Sequence, residues 1–397
     1  MNKTWNYLNL AFFLQCQQYL LPVMLPFYLA QGLDNQDYLF FQSLIYMFYL
    51  VFAIPANYIS DHCSKKYILI SGFALNLLRI FLWLTCRGYW IVLLGEILMV
   101  FIRLTTTTIV DSYIYEAAKE QNAEHQHLYA YGRVVAFMSY GTALASLTTP
   151  FLYPRFSIYM LLILEFIFTA CGSVLLFKLP KTKVYNTSKY SLSEMAEAMK
   201  YLCLRPNLLK ISLIVLIMYF ATGLFVANFQ PLMKVSAVPV FFFGFVYFMN
   251  QFLRGAFSQR ISHILARISL EKYIVLASVC IFVSMLLMAV AYSVLRPYFS
   301  LCVLLIVCVT IGMQLSIQVF AIKEIHKYAV SRIRATIVST FNMVLRGATG
   351  VVLFFYHKVS SFGGYSLGIL LCDVLLLAAM SVVWCRYKGV KIDHEKG

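Results

Sequence analysis

The chain has 397 residues, of which 61% are hydrophobic and only 12% are charged, and its formal net charge is +16. A soluble protein carries about a quarter of charged residues, so this composition excludes an ordinary water-soluble fold. Apolar runs of roughly 20 residues recur along the whole sequence, and each can cross the hydrocarbon core of a bilayer as a helix. We therefore expect an all-α, polytopic membrane protein.

The apolar runs predict twelve transmembrane helices in two six-helix halves. The spans are 6–31, 38–60, 67–86, 89–114, 133–152, 156–178, 208–231, 238–258, 272–294, 297–322, 335–356 and 365–386. The halves are residues 1–178 and 208–397, and the polar segment 179–207 joins them. Within this linker, Ser191 and Glu194 have the spacing of a capping box. The spacing predicts a short amphipathic helix that Pro206 ends.

The positive charge is distributed unequally between the two sides of the predicted bundle. With the N-terminus inside, most of the 32 Lys and Arg residues fall in the cytoplasmic segments, as the positive-inside rule requires. We expect both termini in the cytoplasm of a bacterial-type inner membrane, and the charge indicates orientation rather than nucleic-acid binding. No metal-ligand spacing, P-loop or nucleophile elbow occurs, so we expect no cofactor, no metal and no enzymatic activity.

Four stretches resemble one family. Residues 57–66 (NYISDHCSKK) are similar to the loop between helices 2 and 3 of major facilitator superfamily transporters, and residues 255–272 resemble a second copy of that loop. Residues 111–133 and 334–339 resemble the helix 4 to helix 5 region and the start of helix 11 in exporters of the same superfamily. The resemblance implies the fold of this superfamily and transport by alternating access between the two halves.

Ionisable residues on the fourth span are candidates for proton coupling. An ionisable side chain inside a membrane costs about 2.5–3.5 kcal/mol on insertion scales, which favours a functional role. Glu96 and Arg103 lie about 20° apart around the helix and ~10 Å apart along it, with Asp111 on the same face. Burial favours the neutral acid, so Glu96 is the first candidate for the proton-binding group. By resemblance, Arg103 is the helix 4 arginine of antiporters, although Thr107 replaces a glycine of that motif.

Other roles remain open for these residues. Glu96 is also consistent with an acid near the outer mouth, and Arg103 with a structural arginine. Glu165 on the sixth span is the second candidate for proton coupling. For Glu165, Arg79 and Asp373, which lie on helices that are peripheral in the superfamily, structural pairing is favoured.

The charged residues of the first loop predict a gate. Asp111 and Glu116 are expected to meet Lys65 and Lys66 and to hold the inward side closed. By resemblance, Asp61 faces the start of helix 11 near Arg334. A solvated set of surface charges is the alternative.

The resemblance also places helices 1, 4, 7 and 10 around a central cavity. It favours amides that share a helix face as cavity-lining residues, and interhelical hydrogen bonding is the competing explanation. The primary candidates are Gln15, Gln18, Asn228, Gln314 and Gln318. The secondary candidates are Tyr247, Asn250, Asn342 and Arg346.

These patterns predict a monomeric secondary transporter whose partners are the bilayer, protons and a small-molecule substrate. The expected activity is proton-coupled export (efflux by an antiporter) of a small amphipathic compound such as a drug, a metabolite or an antibiotic-like peptide. One alternative is a symporter or facilitator that imports a nutrient. Another is a membrane sensor or assembly partner that transports nothing.

Overall fold

A computed structural model describes residues 2–105, 109–120, 127–181, 192–328 and 334–386. These residues form α-helices, one short 3-10 helix (Leu21–Val23) and no β-strand. The helices are α1 (Asn2–Gln15), α2 (Met24–Ala30), α3 (Asn35–His62), α4 (Lys65–Thr85), α5 (Tyr89–Leu104), α6 (Val110–Glu120), α7 (His127–Leu152), α8 (Ile158–Phe177), α9 (Leu192–Leu204), α10 (Pro206–Val235), α11 (Phe241–Arg267), α12 (Leu270–Val294), α13 (Pro297–Tyr328) and α14 (Arg334–Arg386).

Every predicted span overlaps one of these helices, so the all-α prediction is confirmed. The first span is divided between α1 and α2, and the fourth between α5 and α6. The last two spans lie in α14, whose helical geometry is interrupted at Gly364 with φ 80° and ψ 165°. Glycine adopts this positive φ without the strain that a Cβ would cause. Within the described part of the chain, seven helices are long and apolar enough to cross a membrane.

The predicted linker helix is α9. Met195, Ala198 and Leu202 recur at helical spacing and are buried, whereas Lys200 is exposed. Pro206 is the first residue of α10, a position at which its missing N–H costs nothing. Ser191 lies outside the described residues, so the capping box stays a prediction.

The chain forms two compact units. Unit 1 comprises residues 1–41, 48–190 and 240–252, and unit 2 comprises 42–47, 191–239 and 253–397. In unit 1, α1 packs against α7 and α8, and α4 packs against α5 and α8. In unit 2, α10 and α12 both pack against α13 and α14, and α9 packs against α10 and α14. The predicted halves, with boundaries at 178 and 208, stay a prediction.

The interior of unit 1 changes from apolar to polar along α1. Its apolar end is a cluster that includes Leu8, Phe12 and Leu69, and the ring of Phe12 meets the edge of Phe73 at 5.4 Å. One further turn along α1 lies Gln15, which is 2% exposed. The polar end of this interior positions the candidate site.

Candidate functional site

The first predicted span is broken in the middle, and the prediction of a continuous helix over 6–31 was wrong. After Gln15, the N–H groups of Gln17, Gln18 and Tyr19 bond to Leu14, Cys16 and Gln17, so the regular helical ladder ends. Pro22 then removes an N–H that a continuing helix needs. Gln15 and Gln18 therefore do not share a helix face, which corrects the spacing argument for that pair.

Two backbone groups of the broken segment form hydrogen bonds with side chains of other helices. Thr149 on α7 donates its hydroxyl to the carbonyl of Tyr19 at 3.0 Å, and the N–H of Leu20 donates to Glu165 Oε2 at 3.4 Å. Non-helical backbone at membrane depth is tolerated only where protein or a polar cavity satisfies it. Unit 1 thus fixes the break through two neighbouring helices.

Glu165 also belongs to a buried ion pair. Its Oε1 accepts from Arg79 Nη2, and the two side chains are 2% and 1% exposed. Arg79 Nε donates to Asn76 Oδ1 at 3.0 Å, and Asn76 Nδ2 donates to Thr169 Oγ1 at 3.3 Å. A buried charge is tolerated when it is paired and hydrogen-bonded, so the structure agrees with the expected structural pairing of Arg79 and Glu165.

Glu96 lies in a second buried polar contact. Its carboxylate is 3% exposed and accepts a hydrogen bond from the hydroxyl of Tyr28 on α2. The ring of Tyr28 packs edge-on against Tyr38 at 5.6 Å and Phe41 at 5.7 Å. Glu96 is therefore buried beside a hydroxyl donor whose ring packs among other aromatic rings.

Arg103 lies on the same helix as Glu96. Arg103 is partly exposed in the last turn of α5, about two turns along the helix from Glu96 and on the same side of it. Asp111 is partly buried on α6, but Thr107 lies outside the described residues, so the predicted common face with Asp111 stays a prediction.

The predicted gate is only partly assembled in unit 1. Lys65 Nζ lies 3.3 Å from Glu116 Oε1, with both side chains largely buried. Lys66, which was expected to meet the acids, instead donates to the carbonyls of Phe177 and Leu179. This is a correction, and its reason is that a lysine complements the unpaired carbonyls at the end of α8.

The turn between α3 and α4 does not require a glycine. It consists of Cys63 (φ −118°) and Ser64 (φ −60°). Both are extended, so no residue of the turn needs the positive φ that favours glycine. Asp61 and Arg334 lie on helical backbone in α3 and α14, and their side chains lie outside the described residues. The same holds for the side chains of 258–267 within the predicted second loop, 255–272.

The amide candidates fall into two groups. Asn228 is fully buried, and its Oδ1 accepts from Tyr292 at 2.8 Å and Tyr356 at 2.5 Å, while its Nδ2 donates to the carbonyl of Leu224. Hydrogen bonds between helices therefore explain the buried amide of Asn228, and its amide is not free to line a cavity. By contrast, buried polar atoms of Gln15, Asn250 and Gln314 have no hydrogen-bond partner among the described groups.

The other predicted cavity residues have intermediate or full burial. Gln18 is partly buried within the break, and Tyr247 is buried on α11. Gln318 follows Gln314 by one turn of the continuous α13, so the predicted shared face is retained. Asn342 and Arg346 are partly buried one turn apart on α14. Among the described residues, no cluster of His, Cys, Asp or Glu is arranged to hold a metal ion.

The family model of the Major Facilitator Superfamily matches residues 8–353. The chain therefore belongs to the Major Facilitator Superfamily, and it is a multi-pass membrane protein of a transporter family. No curated protein matches the sequence.

Solved structures of transporters share this fold. A mutant form of the nucleoside transporter NupG is 13% identical, with a TM-score of 0.79 over 97% of this chain and 100% of that one. A bacterial homolog of the human lysosomal transporter Spinster, inward-facing and unoccupied, is 14% identical, with a TM-score of 0.70 over 100% and 99%. A POT family transporter in complex with 5-aminolevulinic acid is 11% identical, with a TM-score of 0.73 over 97% and 96%. At these identities the likeness concerns the fold alone.

Proposed function

We propose that this transporter couples proton movement to the export of a small amphipathic compound across a bacterial-type inner membrane. The observation that carries the proposal is the buried carboxylate of Glu96, which accepts from Tyr28 and lies on the same side of α5 as Arg103. In a buried site a carboxylate and a carboxylic acid differ strongly in free energy. Proton binding at Glu96 therefore changes the contacts that hold α2 against α5.

In this proposal Glu96 binds and releases the proton, and the charge of Arg103 adjusts the proton affinity of Glu96. The ionised form of Glu96 accepts a charge-assisted hydrogen bond from Tyr28, which is roughly twice as strong as a neutral one. When Glu96 is protonated, this bond weakens and the attraction to Arg103 falls. A ligand shifts a conformational equilibrium only by its differential affinity for the two states. Because the ionised and protonated forms of Glu96 make different contacts, the proton has such a difference in affinity here.

Partly exposed aromatic pairs in unit 1 support a cargo with an apolar part. Phe13 on α1 meets Phe137 on α7 at 6.4 Å between ring centroids, and Phe52 on α3 meets Phe101 on α5 at 4.6 Å. The amide of Gln15, also in unit 1, supports a polar part, because buried polar atoms without protein partners are normally satisfied by water or a ligand.

The pair of Lys65 and Glu116 supports a gate at the end of unit 1 where α3 and α4 meet. We place this end in the cytoplasm, together with both termini, on the distribution of positive charge. Its closing role is electrostatic, because separating two largely buried charges costs several kcal/mol, of the order of 3–5.

The proposal is tested by an efflux and susceptibility screen. A deletion strain is complemented with the wild type or with Glu96→Gln, and the compounds to which the deletion strain is more sensitive are then measured in everted vesicles. An imposed proton gradient is expected to drive their accumulation in wild-type vesicles. Uptake into whole cells without accumulation in everted vesicles would support nutrient import instead, and no flux in either system would support a sensor or assembly partner.

A further inference from the structure

Two exposed lysines follow the end of α8 in unit 1. The ammonium group of Lys178 lies over the ring of Tyr7 on α1, 5.3 Å from its centroid. The ammonium group of Lys181 lies over the ring of Tyr67 on α4, 5.2 Å from its centroid. One positive charge therefore lies beside α1 and the other beside α4, and both side chains are exposed.

Within the described residues, no carboxylate forms an ion pair with Lys178 or Lys181. A ring face attracts an ammonium group but does not neutralise its charge. The carbonyls at the end of α8 would also attract a cation, but a different lysine bonds to them. Lys66 donates to the carbonyl of Phe177 at 2.8 Å and to that of Leu179. The charges of Lys178 and Lys181 are thus available to an anion.

The segment that carries the two lysines is held in place by other helices. The hydroxyl of Tyr113 on α6 donates to the carbonyl of Pro180 at 3.1 Å. Leu179 is 2% exposed and belongs to the apolar cluster of unit 1. A ligand that binds here therefore does not have to order the backbone first, which lowers the cost of binding.

Exposed, mostly apolar stripes lead away from the lysines along two helices that pack against each other, α4 and α8. The stripe on α8 ends one turn before Lys178, and the stripe on α4 ends at Tyr67. Their members are Ile163, Ile167, Cys171 and Val174 on α8, and Leu78, Ala74, Ser71 and Tyr67 on α4. From 163 to 174 the rise is ~16 Å at about 1.5 Å per residue. This is roughly half of the ~30 Å hydrocarbon core, which is the depth of one leaflet.

We propose that this surface, formed by Lys178, Lys181 and the exposed stripes of α4 and α8, binds an anionic phospholipid. The phosphodiester accepts from the two ammonium groups, and an acyl chain lies along the stripes. The rings of Tyr7 and Tyr67 lie at the level of the headgroups, where tyrosine is enriched. The inference goes beyond the proposed function, because it depends on neither proton coupling nor the direction of transport.

The composition of the surface favours a lipid over other anionic occupants. A soluble phosphate would contact the lysines alone and would gain nothing from the apolar stripes. In a symmetric contact with a second copy of the chain, the same patch is used by both partners, so the lysines would face lysines. An anionic phospholipid complements the basic end and the apolar length together.

The experiment is a titration of the full chain with phosphatidylglycerol or with phosphatidylcholine of the same acyl chains, followed by native mass spectrometry. The wild type is expected to bind phosphatidylglycerol more tightly. A lysine near a membrane surface contributes about fivefold to the binding of anionic lipid, so Lys178→Gln/Lys181→Gln should weaken phosphatidylglycerol binding by ~25-fold. Binding of phosphatidylcholine should not change, and Lys178→Arg/Lys181→Arg should retain the preference.

The matched control is Arg87→Gln/Lys358→Gln. It removes two positive charges that also lie over aromatic rings, those of Tyr159 and Phe354. Phosphatidylglycerol binding should be that of the wild type in this variant. Glu96→Gln should likewise bind phosphatidylglycerol as the wild type does, so a failure of the proposed proton site leaves this result unaffected.

Four outcomes would overturn the inference. These are an equal affinity of the wild type for both lipids, an unchanged affinity in Lys178→Gln/Lys181→Gln, an equal loss in the control variant, and displacement of phosphatidylglycerol by glycerol phosphate. The last would identify a site for a soluble anion. A dimer that the lysine substitutions abolish would assign the surface to a second copy instead. If the double variant does not fold, Lys178→Gln and Lys181→Gln are measured singly, and each should lose about fivefold.

Discussion

The hydroxyl of Tyr28 donates to the carboxylate of Glu96, and this contact joins the segment after the break to α5. It is the hydrogen bond that proton binding at Glu96 would alter most directly. The first prediction therefore concerns this donor.

Tyr28→Phe removes the hydroxyl and keeps the ring. The ionised form of Glu96 then loses a hydrogen bond of about 1.5–3 kcal/mol, as measured for bonds to charged groups. Transport should reach half of its maximum at a pH that is higher by one unit or more, since ~1.4 kcal/mol corresponds to one pH unit. The pH profile of gradient-driven transport in vesicles measures this shift. Tyr298→Phe, at a 78% exposed tyrosine, is the control, and equal profiles for the two variants would contradict the assignment.

The second prediction concerns the gate pair. Lys65→Met or Glu116→Met alone removes one charge of the pair, leaves the other largely buried, and should lower the free energy of unfolding by about 3 kcal/mol or more. The double variant Lys65→Met/Glu116→Met should lose less than the sum, because two apolar side chains replace the pair. Thermal unfolding in detergent provides the double-mutant cycle. Strict additivity would show that the two residues do not interact.

The third prediction separates structural amides from cargo-binding ones. Asn228→Leu removes an acceptor shared by two buried tyrosine hydroxyls and should destabilise unit 2 by about 2–6 kcal/mol, at roughly 1–3 kcal/mol for each hydroxyl that loses this acceptor. The range of transported compounds should not change. A stable Asn228→Leu protein with an altered range of cargo in the efflux screen would instead show that Asn228 contacts the cargo.

The fourth prediction uses two glycines of α7. A Cβ on Gly141 would lie 2.4 Å from the carbonyl oxygen of Phe13, just before the break, whereas nothing lies within 4 Å of a Cβ on Gly132. Gly141→Ala should destabilise the protein by about 1–3 kcal/mol, as overpacking does. Gly132→Ala should be neutral or stabilising by about 0.5–1 kcal/mol, since alanine is the better helix former. Unfolding in detergent compares the two, and equal effects would contradict the close approach of α1 and α7.

The sequence predicted the helices well because each is a long apolar run, and the length of such a run is set by the bilayer. It failed at Gln15 to Leu20, where the hydrophobic pattern continues although the helix does not. Pro22 and the three nearby glutamines were the signal for this break. Once the break is present, its freed N–H groups need acceptors, and Glu165 is the acceptor for Leu20.

The candidate site was predicted only in part. Glu96 and Arg103 were found because a charge in an apolar run is conspicuous. Tyr28 was not found, since it is one of 28 tyrosines and local sequence does not distinguish the one that meets a buried acid. Lys66 was misassigned because its attraction to the carbonyl end of α8 depends on tertiary packing, which a charge pattern does not contain.

The central claim is that Glu96 carries the proton that drives transport. The most direct measurement is gradient-driven accumulation, in everted vesicles, of a compound identified by the efflux screen, for the wild type, Glu96→Gln and the control Asp373→Asn. The account predicts that Glu96→Gln loses accumulation against a gradient and retains exchange of cargo across the membrane, while Asp373→Asn behaves as the wild type. Full gradient-driven accumulation by Glu96→Gln would contradict it.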